Sequence, residues 1–121
     1  MEMVTFYPLG PVEVRSVAEL VDLFKNYPRT PVVVYFHAAW CAPCKTYGPV
    51  VERAAELFGD RAVFAKVDVE AVPDVANQLR VKGVPTTTIL VDGVEAWRAS
   101  GALPLNQLVE AVKEVLRRLG A

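Results

Sequence analysis

Two cysteines separated by two residues are the part of this sequence best suited to chemistry. Cys41 and Cys44 are the chain's only cysteines, and residues 40–45 read Trp-Cys-Ala-Pro-Cys-Lys. On a helix, residues three apart have Cβ atoms about 5–6 Å from each other, close to the roughly 3.5–4.5 Å that a disulfide spans. A slightly tightened first helical turn can therefore close this pair and open it again. The spacing predicts a dithiol/disulfide switch.

The cysteines lie where a predicted buried strand ends and a predicted helix begins. β-Branched and aromatic residues fill positions 32–36, and apolar residues at helical spacing run from Tyr47 to Leu57. A helix N-terminus offers unpaired N–H groups and the positive end of the macrodipole, both of which stabilise a thiolate. Cys41, at or just before the first turn, gains most from this, and we expect Cys44 to be more sheltered. Because the thiolate is the attacking species in disulfide exchange, Cys41 is the predicted nucleophile.

Size, charge and hydropathy exclude several other classes of protein. With 121 residues, 53% of them apolar, the chain predicts one folded domain over residues 1–121. A net charge of −1 gives no electrostatic basis for binding nucleic acid. Residues 1–5 lack the pattern of a signal peptide, and the longest apolar run, 32–43, is shorter than the roughly 18–20 residues that cross a bilayer. We therefore expect a cytoplasmic protein without membrane attachment, in which a C-x-x-C pair favours redox chemistry over a structural disulfide.

Cap and turn signals predict the order βαβαβαββα. The predicted elements are a brief strand at 12–14, a helix from a capping box at Ser16 to just before Pro28, a strand at 32–36, a helix after the cysteines that Pro49 kinks and Gly59 caps, a strand at 62–68, a short helix at 74–79, strands at 86–91 and 94–100 joined by an Asp92-Gly93 hairpin, and a helix at 105–119. Residues 1–11 could form an N-terminal arm or an extra strand, and the sequence leaves both open.

Several motifs, far apart in the chain, resemble the thioredoxin family from about Val12 to the C-terminus. They are residues 40–45, Pro49, Phe-Ala-Lys-Val-Asp at 64–68, Gly-Val-Pro-Thr at 83–86, Asp92-Gly93 and Ser-Gly-Ala-Leu at 100–103. A lone C-x-x-C would be weak evidence, whereas this set at the family's spacing is specific. The resemblance implies an α/β thioredoxin fold with a central mixed sheet flanked by helices on both faces. The sheet would have five strands, or four if the first does not join it.

The resemblance also implies the activity, namely reduction of protein disulfides by dithiol–disulfide exchange. Cys41 would attack the substrate disulfide and Cys44 would resolve the mixed disulfide. The residues that would form the substrate-binding surface are Trp40, Ala42, Pro43, Val84, Pro85 and Gly101. The resemblance also implies a cis peptide bond between Val84 and Pro85. Because the chain carries no nucleotide motif, its electrons would come from a flavin-dependent thioredoxin reductase. We expect a monomer that acts on disulfide-bearing proteins and uses no cofactor. We also expect no metal, since a closed zinc site needs four ligands and His37 is the only other soft ligand candidate.

Three residues are candidate modulators of the cysteines. Two of them, Tyr35 and His37, differ from the family pattern, and the third, Lys66, matches the pattern but loses its usual partner. Tyr35 stands where members commonly carry a buried Asp that takes the proton of the resolving cysteine. A tyrosine, with an ordinary pKa near 10, cannot be a base at pH 7, so we predict that Tyr35 packs in the core with a tethered hydroxyl. Lys66 loses that Asp as its partner, and must find another acceptor, deprotonate or extend toward solvent. His37 stands where many members have Trp.

His37 allows two interpretations. It could tune the cysteines as a cation or accept their proton, or it could be a hydrogen-bonded packing residue at the end of its strand. The sequence alone favours the packing role.

Two other functions stay open at this stage. A disulfide oxidase or isomerase would share the fold but have a higher reduction potential, usually linked to a His between the cysteines, which Ala42-Pro43 does not supply. A binding module with little redox turnover would suit the loss of the buried Asp. Retention of both cysteines and of Pro85 argues against it.

Overall fold

A computed structural model describes residues 7–120. The elements are β1 (Val12–Glu13), α1 (Val17–Asn26), β2 (Val32–His37), α2 (Ala42–Phe58), β3 (Val63–Asp68), α3 (Pro73–Gln78), β4 (Thr86–Val91), β5 (Val94–Ser100) and α4 (Leu105–Arg118). The predicted order is confirmed, and the bounds differ from the prediction by one or two residues. Residues 7–11 lead into β1 outside any helix or strand, so that part of the predicted arm is not a strand. The rest of that prediction, on residues 1–6, lies outside the described residues.

The five strands form one mixed sheet in the order β1-β3-β2-β4-β5. β3 runs parallel to β1 and β2, whereas β4 is antiparallel to β2 and β5. The first strand joins the sheet, so five strands rather than four is correct. β2 is the central strand, and its residues 32–36 are all buried, as its apolar character on both faces predicts.

Helices cover both faces of the sheet. On one face, Val33 and Tyr35 of β2 share a core cluster with residues of α2 and α4. On the other, Val32, Val34 and Phe36 share a second cluster with residues of α1 and α3. Since side chains of a strand alternate between faces, Tyr35 faces the same helix that begins at the cysteines. The predicted thioredoxin fold is therefore the observed one.

Local capping signals fix the ends of the elements. Ser16 Oγ accepts the N–H of Glu19 at 3.0 Å, and the Glu19 carboxylate accepts the N–H of Arg15 at 2.9 Å. The predicted capping box is thus present, with its return bond one residue further upstream. Gly59 ends α2 with a φ of +54°, and Pro49 lies inside that helix as predicted. Its kink stays a prediction.

Candidate active site

Cys41 and Cys44 form a disulfide at the corner where β2 leads into α2. Their Cα atoms are 5.3 Å apart. Cys41 is the N-cap of α2, and its Sγ accepts the backbone N–H of Cys44 at 3.2 Å. One of the otherwise unpaired N–H groups of the helix N-terminus therefore points at the Cys41 sulfur, as the sequence predicts.

The burial of the two cysteines differs from the prediction. Cys41 is 3% exposed and Cys44 is 5% exposed. The expectation that Cys44 is the more sheltered is wrong for this disulfide form, in which both residues pack in the core cluster beneath α2. The two cysteines therefore do not differ in exposure, and the hydrogen bond that Cys41 Sγ accepts is what sets their surroundings apart.

An exposed surface surrounds the pair. Trp40 is 68% exposed, and Ala42 and Pro43 beside it are also exposed. Trp40 and half-buried Val84 line one small cavity of about 120 Å³, together with Val69, Val81, Lys82 and Gly83. The structure thus brings Val84, from a distant part of the chain, to the tryptophan next to Cys41.

Pro85 and Gly101 meet at the ends of β4 and β5. The Val84–Pro85 peptide bond is cis, which confirms the conformation that the family resemblance implies. Gly101 adopts a φ of +89° and donates its N–H to the Pro85 carbonyl at 2.8 Å. Pro85 is buried and Gly101 is half-buried. Since glycine has no side chain, Gly101 contributes only backbone atoms to this part of the surface.

Tyr35 lies directly beneath Cys44. Its side chain is buried, and its hydroxyl donates to the backbone carbonyl of Cys44 at 3.0 Å. Its ring contacts Tyr47 edge-on, with centroids 5.4 Å apart. Burial, followed by the nearby Tyr47 and Glu52, raises the pKa of Tyr35 above its usual value. The predicted core packing with a tethered hydroxyl is what the structure shows.

His37 stacks on Tyr35 at a centroid distance of 5.2 Å. Its Nε2 atom is buried and has no hydrogen-bond partner among the described residues. Burial lowers the pKa of His37, and the charge of Lys66 lowers it further, while Asp68 and Glu13 raise it. The expectation of a hydrogen-bonded packing histidine is therefore wrong for Nε2: the ring packs, but this nitrogen is unsatisfied.

A cavity of about 340 Å³ connects these groups. Its lining includes Tyr35, His37, Cys44, Glu52 and Lys66. Lys66 is half-buried, and it also lines a second cavity with Glu52 and Glu56. The lysine is therefore partly exposed, in agreement with the predicted extension toward solvent.

Comparisons with known proteins identify the family. The thioredoxin family profile matches residues 14–114. Thioredoxin 1 of Chlorobaculum tepidum is 36% identical over 103 residues, covering 85% of this chain and 99% of its own. The chain belongs to the thioredoxin family. The thioredoxin of Mycoplasma genitalium is 37% identical over 98 residues, covering 81% of this chain and 93% of its own. Among solved structures, a mutant thioredoxin from Halobacterium salinarum superposes with a TM-score of 0.83 at 31% identity, covering 93% of this chain and 96% of its own.

As a thioredoxin, the protein is a protein-disulfide oxidoreductase. Its Cys41–Cys44 pair, seen here as a disulfide, is the redox-active centre for reduction by dithiol–disulfide exchange. In the described part of the chain, no three His, Cys, Asp or Glu side chains converge in a way that could hold a metal ion. None of the described helices has the length and apolar character needed to cross a bilayer.

Sequence reasoning missed Val69 and Val81, which flank Trp40 in the smaller cavity. Val81 could have been suspected, since it precedes the Gly83-Val84-Pro85 motif by two residues. Val69 follows β3 directly and carries no local signal of its own. Its position beside Trp40 depends on the parallel pairing of β2 with β3, which places Asp68 opposite His37.

Proposed function

We propose that Cys41 is the nucleophile and Cys44 the resolving cysteine of this thioredoxin's reductase cycle. The observation that carries this assignment is the N–H of Cys44 directed at Cys41 Sγ at 3.2 Å. A sulfur that accepts a helix N-terminal hydrogen bond is stabilised as the thiolate, which is the attacking form. Exposed Trp40 precedes Cys41, which places the proposed nucleophile next to the open surface.

The cycle has two exchange steps. The Cys41 thiolate attacks one sulfur of the substrate disulfide, forms a mixed disulfide, and expels the other substrate sulfur as a thiolate. Cys44 then loses its proton and attacks Cys41 Sγ, so that the intramolecular disulfide forms and the second substrate thiol leaves. The substrate gains two electrons, and the cysteine pair loses two.

The proposed docking surface consists of six residues around the pair. Three of them, Trp40, Ala42 and Pro43, are exposed residues beside the cysteines. The other three lie at the ends of strands: Val84 and Pro85 precede β4, and Gly101 follows β5. This combination of apolar side chains and backbone suits an extended substrate segment with a disulfide at its centre. Disulfide-bearing proteins are accordingly the substrate class.

Further expectations concern the protein's setting. The proposed electron donor is thioredoxin reductase, because the chain carries no nucleotide-binding motif of its own. We also propose a cytoplasmic location, an electron-transport role, a single domain over residues 1–121, and action as a monomer. Oxidation of NADPH by a mixture of thioredoxin reductase, this protein and a disulfide substrate tests the donor.

Single cysteine substitutions test the assignment of roles. Cys44→Ser should retain the first step and accumulate a covalent mixed disulfide with a disulfide-bearing protein, detected by mass spectrometry as a substrate adduct on Cys41. Cys41→Ser should form no such adduct at neutral pH and should not turn over. Capture of the substrate by Cys41→Ser, with none by Cys44→Ser, would reverse the two roles.

The reduction potential of the pair separates a reductase from an oxidase or isomerase. Titration in dithiothreitol and glutathione buffers should give a value near that known for thioredoxin, about −270 mV, and well below the about −180 mV of protein disulfide isomerase. A value at the oxidising end would assign disulfide formation or isomerisation instead. Biological activity that survives substitution of both cysteines by Ser would assign a binding module.

A further inference from the structure

We propose that His37 accepts the proton that Cys44 releases when it resolves the mixed disulfide, through water in the cavity that both residues line. The inference rests on the proposed role of Cys44 as the resolving cysteine. It makes His37 the replacement for the carboxylate that the family resemblance leads one to expect at position 35.

Cys44 and His37 line the same cavity. In the disulfide form Cys44 is 5% exposed, so little of the residue faces bulk water directly. The cavity beneath it has a volume of about 340 Å³ and is lined by both Cys44 and His37. A polar cavity holds a water molecule once it provides roughly 10–15 Å³ and two to four polar partners. The cavity is therefore large enough for a chain of water between the two side chains.

Two neighbours in the same cavity are poor proton acceptors. The hydroxyl of Tyr35 is already donated to the Cys44 carbonyl, and burial raises its pKa further above the neutral range. A lysine ammonium carries three donors and no acceptor, so Lys66 as a cation cannot take the proton. Because it lines the same cavity as Cys44, its positive charge would favour a thiolate there.

His37 itself is in a state that can accept a proton. A neutral imidazole has one nitrogen that accepts a hydrogen bond, and a buried polar atom without a partner is unusual in native proteins. His37 Nε2 is such an atom among the described residues. Burial holds the pKa of His37 below its usual value, so the ring is neutral at pH 7 and free to accept a proton.

The charges around His37 suit a transient imidazolium. The groups that face it come from every neighbouring element: Glu13 of β1, Asp68 and Lys66 of β3, and Lys45 and Glu52 of α2, whereas β4 consists of threonine and apolar residues. Asp68 and Glu13 favour the protonated ring, and Lys66 opposes it. The opposing charge of Lys66 returns the ring to the neutral form once the thiolate has been consumed.

The resolving step conserves atoms and electrons. The Cys44 S–H bond breaks, its proton moves to His37 through water, and the Cys44 thiolate attacks Cys41 Sγ. The Cys41–Cys44 bond forms as the bond between Cys41 and the substrate sulfur breaks. The substrate sulfur leaves as a thiolate and regains a proton from solvent or from His37.

A single-turnover experiment tests this step. Reduced protein is loaded on Cys41 with 5-thio-2-nitrobenzoate, and release of the coloured thiolate is followed by stopped flow between pH 5 and 9. His37→Gln keeps an amide near the position of Nε2 but has no base there. Because general-base catalysis contributes about 10²–10⁴-fold, the substitution should slow release at pH 7 by about 100-fold or more. The logarithm of the parent rate should level off above the His37 pKa, whereas that of the variant should keep rising with pH.

Glu52→Gln is the matched control, since it changes a titratable side chain on the same cavity and should leave the rate within about twofold of the parent. The reverse pattern, a slow Glu52→Gln and a normal His37→Gln, would overturn the proposal. If Cys44→Ser traps substrate but His37→Gln releases thiolate at the parental rate with the parental pH profile, this inference fails and the proposed function stands.

A second measurement does not depend on any His37 variant folding correctly. His37 is the chain's one histidine, so its imidazole signals in a ¹⁵N-labelled sample are unambiguous. The titration of His37 is compared by NMR in the reduced parent and in reduced Cys44→Ala. A proton shared through the cavity couples the two groups, so loss of the thiol should change the pKa of His37. Identical titration curves would overturn the proposal.

Discussion

The hydroxyl of Tyr35 donates to the backbone carbonyl of Cys44 at 3.0 Å and so ties the centre of β2 to the first turn of α2. The residue at this position therefore hydrogen-bonds to the backbone of Cys44, the proposed resolving cysteine, whose side chain lines the cavity. In the mechanism that we propose, positioning and proton transfer, which a buried carboxylate could combine, are divided between Tyr35 and His37.

Replacing Tyr35 by Phe isolates this hydrogen bond. The variant keeps the ring contacts with His37 and Tyr47. Loss of one buried hydrogen bond should lower the free energy of unfolding by about 1 kcal/mol, measured by urea denaturation. Release of a chromogenic thiolate from Cys41 should change by less than about threefold, because the hydroxyl is not a base at neutral pH. A 100-fold slower release would instead place Tyr35 in the proton path.

A second buried hydrogen bond joins Tyr47 of α2 to Thr87 of β4. The hydroxyl oxygens of the two side chains are 2.7 Å apart. Both residues are fully buried, or nearly so. Either Tyr47→Phe or Thr87→Val strands the remaining hydroxyl, so each should cost about 1–3 kcal/mol of unfolding free energy. The double variant removes both groups and should cost clearly less than the sum of the two. Strictly additive costs in urea denaturation would show that the bond contributes nothing.

Local signals explain why the fold could be predicted. The Ser16–Glu19 cap, the Gly59 helix end and the Asp92-Gly93 turn each depend on residues within four positions of one another. The alternation of strand side chains also places Tyr35 and His37 on the same face, two residues apart. The cysteine pair and its position at a helix N-terminus follow from the same kind of short-range pattern.

The contacts that join distant segments could not be predicted in this way. The partner of the Tyr35 hydroxyl depends on how α2 packs on the sheet, and the position of Lys66 opposite Tyr35 depends on the register of β2 with β3. The cavity under Cys44 is the sum of these contacts, and no single stretch of sequence encodes it.

His37 should make stability depend on pH. Because burial lowers its pKa in the folded protein, the unfolded chain binds the proton more tightly, and unfolding takes up a proton as the pH falls below the unfolded value of about 6.5. The free energy of unfolding should therefore be highest near pH 7 and should decrease as the pH is lowered toward 5. Urea denaturation at each pH measures the slope. In His37→Gln the decline over this range should be smaller, and an unchanged slope would show that His37 does not titrate differently on folding.

Arg98 of β5 holds the segment that leads to Val84. Its guanidinium donates to the carbonyls of Leu79 and Arg80 at the end of α3, and pairs with Glu95 at 2.7 Å. Residues 81–84 follow directly in the chain, and all four line the cavity beside Trp40. Arg98→Lys keeps the charge but loses the planar fork that reaches two carbonyls at once.

We expect Arg98→Lys to loosen residues 79–84 without affecting the cysteines. Free energy of unfolding should fall by about 1 kcal/mol, and hydrogen exchange should accelerate in this segment only. The apparent KM for a protein substrate should rise, while release of a small thiolate from Cys41 stays at the parental rate, because that reaction does not use the Val84 surface. Glu95→Gln removes only the exposed ion pair, worth about 0–1 kcal/mol, and should leave exchange and KM unchanged. If Glu95→Gln reproduces the effects of Arg98→Lys, the ion pair rather than the carbonyl contacts holds the segment in place.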